Sequence, residues 1–302
     1  MLEELKTFIS VVEHKNFTKA GEALNLSQPS VSTHIKNLES SFGVILINRS
    51  VKQKTIFITE SGYVLYKKSK EILNLLDTTY MEVRNTSSSI KGHLKVGASM
   101  TIGDYILPKF LAIFSEKYPD IDVEIFINNT SSICSHLKEL TLDIGLIEGT
   151  SSLSIFTQEY FLQDKMVLAL PYSPNLDIHN FTFDNLNNQK WIVREEGSGT
   201  KEFLNLFLGT NEIIPKGIMV LGSNYAVKEA VKNNLGITII SDFVARPAVE
   251  NKELTTIDLG DYYTRHFSCL LPKNITISKI SQIFLDEFKE YSSTLINSHN
   301  KK

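Results

Sequence analysis

Leu2, Leu5, Phe8, Ile9 and Val12 recur at three- and four-residue steps and predict an opening amphipathic helix. Phe17, Ala20, Ala23 and Leu24 repeat the spacing and predict the buried stripe of a second, short helix, which Asn25-Leu26 ends. Ser27 then stands where an N-cap belongs, and Pro29 falls in the first turn of a third helix, where a missing N–H costs nothing. Val31, Ile35 and Leu38 share one face of that third helix. Gln28, Ser30, Ser32, Thr33 and Lys36 occupy the rest, a polar surface free of acid until Glu39. Side chains of this kind donate to phosphates and read base edges in the major groove. A helical hairpin with a merely solvated face has the same pattern, so the helices alone do not decide.

The following segment does. Phe42-Gly43-Val44 ends the third helix, Ile45-Leu46-Ile47 turns extended, and Thr55–Thr59 alternates as a returning strand. From Ser40 to Thr59 there is no acidic residue, while Arg49, Lys52 and Lys54 lie inside the window. Strand, basic tip and strand make a wing that sets cations beside phosphates. Thr59 stands as the N-cap of a helix expected to run to about Asn85, roughly 39 Å long. Along it Leu65, Ser69, Ile72, Leu76, Thr79 and Val83 form a heptad seam with two polar gaps. That seam calls for a partner helix and so for a dimer. Thr86-Ser-Ser-Ser89 reads as a hinge.

Beyond the hinge the chain alternates strand and helix. Strands are expected at 93–99, 121–127 and 143–147, with helices at 106–117 and 131–140 between them. The first of these helices should turn Leu107, Phe110, Leu111 and Phe114 inward. This βαβαβ unit implies a mostly parallel sheet. A second unit follows, with strands at 165–170, 190–193, 217–221 and 236–240 and helices at 200–208 and 225–233. The strand 265–271 and the helix 277–291 are expected to return to the first unit. The predicted fold class is α/β: a winged helix-turn-helix, a long linker helix, then two α/β lobes joined by crossing strands. Expected boundaries are 1–60, 61–90 and 91–302, with lobe I at 91–161 and 266–302 and lobe II at 162–265. A cleft between such lobes is where ligands usually bind. Ser99-Met100-Thr101, Glu195-Glu-Gly-Ser198-Gly199-Thr200 and Gly222-Ser223-Asn224 each join a strand to a helix. Hydroxyls and free N–H groups at helix starts favour an anion. Simple helix capping explains any one of these loops alone.

Composition narrows the classes. With 42% hydrophobic and 22% charged residues in 302, the chain reads as globular, without a run long enough to span a membrane or a basic-then-apolar leader. Cys134 and Cys269 are isolated, which argues against a disulfide framework or zinc site and for a reducing cytoplasm. No cofactor or metal is expected. The net charge of −3 hides a polarity: residues 1–91 carry +3 and the remainder −6. A mildly basic N-terminal third on an acidic body restores the case for nucleic acid that the whole-chain balance weakens. No enzyme signature appears. The seven histidines lack an orienting carboxylate at triad spacing, Gly197-Ser198-Gly199 is not a nucleophile elbow, and adjacent Glu195 and Glu196 point apart on an extended segment.

The order Phe17-Thr-Lys-Ala, Leu24-x-Leu-Ser-Gln-Pro-Ser-Val-Ser32, Ile35-x-x-Leu-Glu39, Phe42-Gly43, Arg49 and Thr59-Glu-Ser-Gly62 resembles the LysR-type transcriptional regulators over residues 1–62. The resemblance implies DNA-facing positions at Ser27, Gln28, Pro29, Ser30, Ser32, Thr33, His34, Lys36 and Arg49. It departs at Thr33, commonly arginine, and at Ile47, commonly phenylalanine. It further implies an effector domain similar to periplasmic binding proteins, with matching positions at Ser99, Thr101, Ser198, Thr200 and Ser223. The segment 194–200 resembles members controlling sulfur assimilation or carbon fixation. The implied function is effector-modulated regulation of transcription. The effector would be a small anion, and the partners promoter DNA, a second copy or a tetramer, and RNA polymerase directly or indirectly. Two other classes stay open. A solute-binding protein with an appended helical module would need a leader and no basic wing; an architectural DNA-binding protein would leave the cleft unexplained.

Overall fold

A computed structural model describes residues 1–49, 56–84, 90–149, 151, 154–174, 181–273, 275 and 277–299. The chain divides into two compact units. The first holds α1 (Leu2–His14), α2 (Phe17–Leu24), α3 (Gln28–Phe42), β1 (Ile47–Arg49), β2 (Ile56–Ile58) and α4 (Glu60–Arg84). Asn16 caps α2 by accepting the Thr18 and Lys19 amides, and Asn25 leaves it in the left-handed region at φ 55°. Leu5, Phe8, Val12, Val31, Ile35 and Leu38 are buried together, as their spacing predicts, with Leu65 and Tyr66 of α4 in the same core. Leu2 and Ala23 are exposed, against expectation. The α2 stripe instead runs through Gly21, where a Cβ would stand 2.6 Å from the Leu26 carbonyl oxygen. Backbone, not an alanine methyl, makes that contact.

The wing's base is fixed by short-range polar chemistry. The Glu39 carboxylate accepts the Leu46 and Ile47 amides at 2.9 and 3.2 Å, tying the end of α3 to β1. Thr59 donates its hydroxyl to the Ile45 carbonyl at 2.8 Å and accepts the Gly62 amide at 2.9 Å, so it caps α4 as expected. A Cβ on Gly62 would lie 2.4 Å from the Leu46 oxygen. The seam of α4 divides: Leu65 and Ser69 are buried in this unit, whereas Ile72 is exposed with Leu75 and Tyr80. Lys52, Lys54, the hinge at 86–89 and the side chains of Arg49 and Val83 lie outside the described residues.

The second unit carries one sheet in which β3 (Gly92–Ser99), β4 (Ile121–Asn128), β5 (Ile144–Glu148), β6 (Phe156–Pro171), β9 (Thr238–Ser241), β10 (Leu254–Asp258) and β11 (Thr264–Pro272) are ordered β10-β6-β11-β5-β3-β4, with β9 also paired to β6. The β3, β4 and β5 pairings are parallel, as the βαβαβ reading requires, with α5 (Leu107–Lys117) and α6 (Thr130–Lys138) as crossovers. Leu107, Phe110 and Phe114 of α5 are buried and Leu111 is half-buried. All pairings of β6 and β11 are antiparallel. These two strands run through both lobes, and β6 begins nine residues earlier than its apolar run suggests. A parallel pair, β7 (Lys190–Arg194) and β8 (Gly217–Leu221), with α7 (Gly199–Thr210), α8 (Asn224–Lys232) and α9 (Asp242–Glu250), completes lobe II. Neither α9 nor β10 is expected from the pattern. The final helix, α10 (Lys279–His299), extends past its expected end at Tyr291.

Gly62→Ala should destabilise the first unit by about 1–3 kcal/mol, because overpacking against fixed backbone forces a shift. Urea unfolding followed by circular dichroism reads this, and an unchanged midpoint would show that the α4–β1 junction is loose.

Candidate nucleic-acid interface and inter-lobe site

On α3 the side chains sort themselves by hydrogen bonding. Ser27 caps the helix, accepting the Ser30 amide at 3.2 Å and lying 2.8 Å from the Ser30 hydroxyl. Thr33 donates to the Pro29 carbonyl at 3.0 Å, and Gln28 donates to Ser32 at 2.8 Å. His34 turns inward, with Nδ1 2.8 Å from the buried Thr7 hydroxyl on α1. It therefore orients α3 on α1 rather than facing outward. Ser27, Gln28, Pro29, Thr33 and Lys36 are the exposed members, with Ser30 and Ser32 half-buried beside them.

The inter-lobe site is built on a guanidinium. Arg265, on β11, stands opposite Asp164 on β6, and its Nε donates to the Asp164 carboxylate at 2.8 Å. Its Nη1 donates to Glu148 at 2.7 Å and to the Thr200 hydroxyl at 3.0 Å, and Nη2 donates to Thr101 at 3.3 Å. Glu148 ends β5 in lobe I; Thr200 lies in the first turn of α7 in lobe II. Thr101 opens a helix whose next residues, Ile102–Ile106, form a π turn ahead of α5. Such turns concentrate at functional sites. The Thr101 amide donates to Glu148 at 2.7 Å, and the Thr200 hydroxyl donates to the same carboxylate at 3.1 Å. Asn224, the first residue of α8, donates to the Thr101 hydroxyl at 3.1 Å and accepts from Arg194 at 2.5 Å. Arg194 also grips Glu195 through two bonds, and Ser241 donates to Asp164 at 2.6 Å.

Electrostatics follow from sharing. Arg265, Glu148 and Asp164 are 6%, 2% and 0% exposed. Burial opposes ionisation of Glu148, but Arg265, the Thr101 amide and Arg194 outweigh it and hold its carboxyl below the ordinary range. Asp164 gets the lesser share: burial pushes it up to about 6 despite Arg265 and Ser241, with the Glu148 charge adding to the rise. Among the described residues no group of His, Cys, Asp and Glu is arranged to hold a metal ion.

Of the positions expected from sequence, Thr101 and Thr200 meet on Arg265 and Glu148. Gly199 is needed there, because a Cβ would stand 2.7 Å from the Glu148 carbonyl oxygen. Ser99 is buried at the end of β3, and its hydroxyl has no hydrogen-bond partner. Met100 is half-buried at the helix start, and Ser198 is buried at the N-cap position of α7 without a side-chain cap bond. Ser223 caps α8 by accepting the Ala226 amide, and it is its neighbour Asn224 that enters the network. Sequence reasoning missed Glu148, Asp164, Arg194, Asn224 and Arg265. Charges set in otherwise apolar strands were the available signal, since buried charges must be paired.

A helix-turn-helix with a wing joined to a two-lobed α/β domain defines a transcriptional regulator with a sensor-type domain. Residues 2–63 match the model for a bacterial regulatory helix-turn-helix protein of the lysR family, and residues 87–293 match the LysR substrate binding domain. The chain belongs to the LysR family. It is 39% identical over 295 residues to the HTH-type transcriptional regulator CysL of Bacillus subtilis, covering 97% of this chain and 98% of that one. Its fold matches full-length OxyR from Pseudomonas aeruginosa with a TM-score of 0.77 at 18% identity, covering 96% and 94% of the two chains. The regulatory domain of CcmR from Synechocystis, solved in complex with 2-PG, matches with a TM-score of 0.62 at 23% identity, covering 67% of this chain and 98% of that one.

Because Asp164 holds its proton to higher pH when folded than when unfolded, its contribution to stability is complete below about pH 4 and is lost as pH rises through about 6. Asp164→Asn should flatten the fall in melting temperature between about pH 4 and pH 6. An undiminished fall would assign the dependence to another group.

Proposed function

We propose that the chain binds promoter DNA through α3 and the wing, associates with a second copy along α4, and responds to a small oxyanion held between its two lobes. The observation that carries the effector reading is the inter-lobe cradle. A helix-start amide from lobe I, a hydroxyl from lobe II and a buried guanidinium converge on one carboxylate. That is the chemistry by which helix termini and arginine hold anions. The bound 2-PG in the CcmR domain supports a small ligand in this kind of fold. Self-association is supported by Ile72, Leu75 and Tyr80, exposed at 45, 62 and 56% on α4. An apolar groove of about 480 Å3, lined by Phe42, Val44, Val64 and Leu65, adds to it.

On DNA, Gln28, Thr33 and Lys36 are assigned base and phosphate contacts, with Arg49, Lys52 and Lys54 placing charge along the backbone. Ser27 and His34 serve the position of the helix instead. RNA polymerase is a partner through promoter access, and the reaction classes of enzymes have no place in this reading. The domain division at 1–60, 61–90 and 91–302 is retained as part of the proposal.

Gln28→Ala should weaken operator binding by about 1–3 kcal/mol and leave binding to random duplex nearly unchanged. Equal loss on both duplexes in a gel-shift titration would move Gln28 to a phosphate or structural role. Thr200→Val should abolish the effect of small oxyanions on operator binding while the protein stays folded. A retained response would locate the effector elsewhere.

A further inference from the structure

The donors that an incoming oxyanion would use at the inter-lobe site are engaged by the chain's own carboxylates. One oxygen of Glu148 takes the Thr101 amide, and the other takes the Thr200 hydroxyl and Nη1 of Arg265. Asp164 takes Nε of Arg265, and Glu195 closes Arg194 with two bonds at 2.7 and 2.8 Å. Two guanidinium groups thus face three carboxylates, and the site has no surplus positive charge to draw an anion in. An anion seated beside an ionised Glu148 would meet like charge at close range in a buried setting, where repulsion is weakly screened. An amide N–H and a hydroxyl O–H each have one proton to give, so they serve Glu148 or a ligand, not both well.

We propose that Glu148 is a built-in stand-in for the effector. The effector's oxyanion, carboxylate or tetrahedral, binds by taking over the Thr101 amide, the Thr200 hydroxyl and an arm of Arg265 as the Glu148 side chain withdraws. This rests on the effector-site reading above. Two features confine the exchange to the side chain. The Glu148 carbonyl accepts from Thr130 at 3.2 Å and is packed directly against Gly199, so the strand end itself is held. Ser99, 1% exposed and without a partner, adjoins the same helix start, and a ligand with more oxygens than a side-chain carboxylate supplies the acceptor it lacks. Exchange also sets specificity. A neutral amide or alcohol cannot replace the charge that Glu148 gives Arg265, whereas an anion can.

Trp191, the one tryptophan of the chain, is fully buried in lobe II on β7, three residues before Arg194, and supplies the optical readout. The full-length protein, Glu148→Gln and Glu148→Asp are titrated with sulfate, phosphate, malonate and neutral malonamide at constant ionic strength. Tryptophan fluorescence and thermal shift are followed. The expected result is at least tenfold tighter binding of an oxyanion by Glu148→Gln, no binding of malonamide by any protein, and a severalfold gain in Glu148→Asp, whose carboxylate is drawn back by one methylene. Sulfate against malonate separates a tetrahedral from a carboxylate effector. Should Glu148→Gln not fold, the Glu148→Asp comparison decides. Anion binding that is equal or weaker in the variants overturns the exchange and leaves the site reading standing. Absence of any anion response in all three proteins overturns both.

Discussion

The second unit depends on one buried cation with more suitors than it can fully satisfy. Arg265 lies on a strand common to both lobes, and its fork reaches Asp164 on the other crossing strand, Glu148 and Thr101 in lobe I, and Thr200 in lobe II. Removing one member of such a buried set typically costs about 3–5 kcal/mol, because a charge is then left without a partner. Hydrophobic contact alone would let two lobes slide; directional bonds to a planar fork fix their register. The unequal sharing between Glu148 and Asp164 is the electrostatic consequence of placing one positive group between two negative ones.

The first unit answers a different constraint. Its first three helices are short, so the position of the reading surface must be set by a few polar bonds at the ends of elements. Glu39 carries the end of α3 into β1, Thr59 links the wing's return to α4, and Gly21 and Gly62 let backbone come within reach of backbone. His34 belongs with these. Facing Thr7, it steadies α3 against α1.

Local pattern made the helical elements of this unit readable, because their apolar positions meet within a few dozen residues. Ala23 was misread because α2 has little more than two turns, and Gly21, with no side chain to score, makes the close contact. In the second unit the apolar runs disclosed the strands that are buried on both sides. They hid the first half of β6, where Thr157, Gln158 and Glu159 interrupt the run, and α9, where Pro247 sits inside the helix. Of the inter-lobe site, sequence revealed what capping chemistry marks: Thr101, Gly199 and Thr200. Glu148, Asp164 and Arg265 stayed hidden because their pairing spans up to 117 residues and only the placement of β11 between β5 and β6 brings them together. Ser223 was one residue off for the same reason. A cap is a local signal, and the reach of Asn224 to Thr101 is not.

The burial of Leu65 and Tyr66 in the core that also holds Val31, Ile35 and Leu38 makes α4 and the reading helix a single rigid lever. At 25 residues the arm is about 37 Å long. Displacing its far end by about 5 Å therefore tilts the near end by roughly 8°, on the geometry of a stiff rod. The pitch at which the helix meets a groove is thus mechanically geared to whatever grips the distal turns.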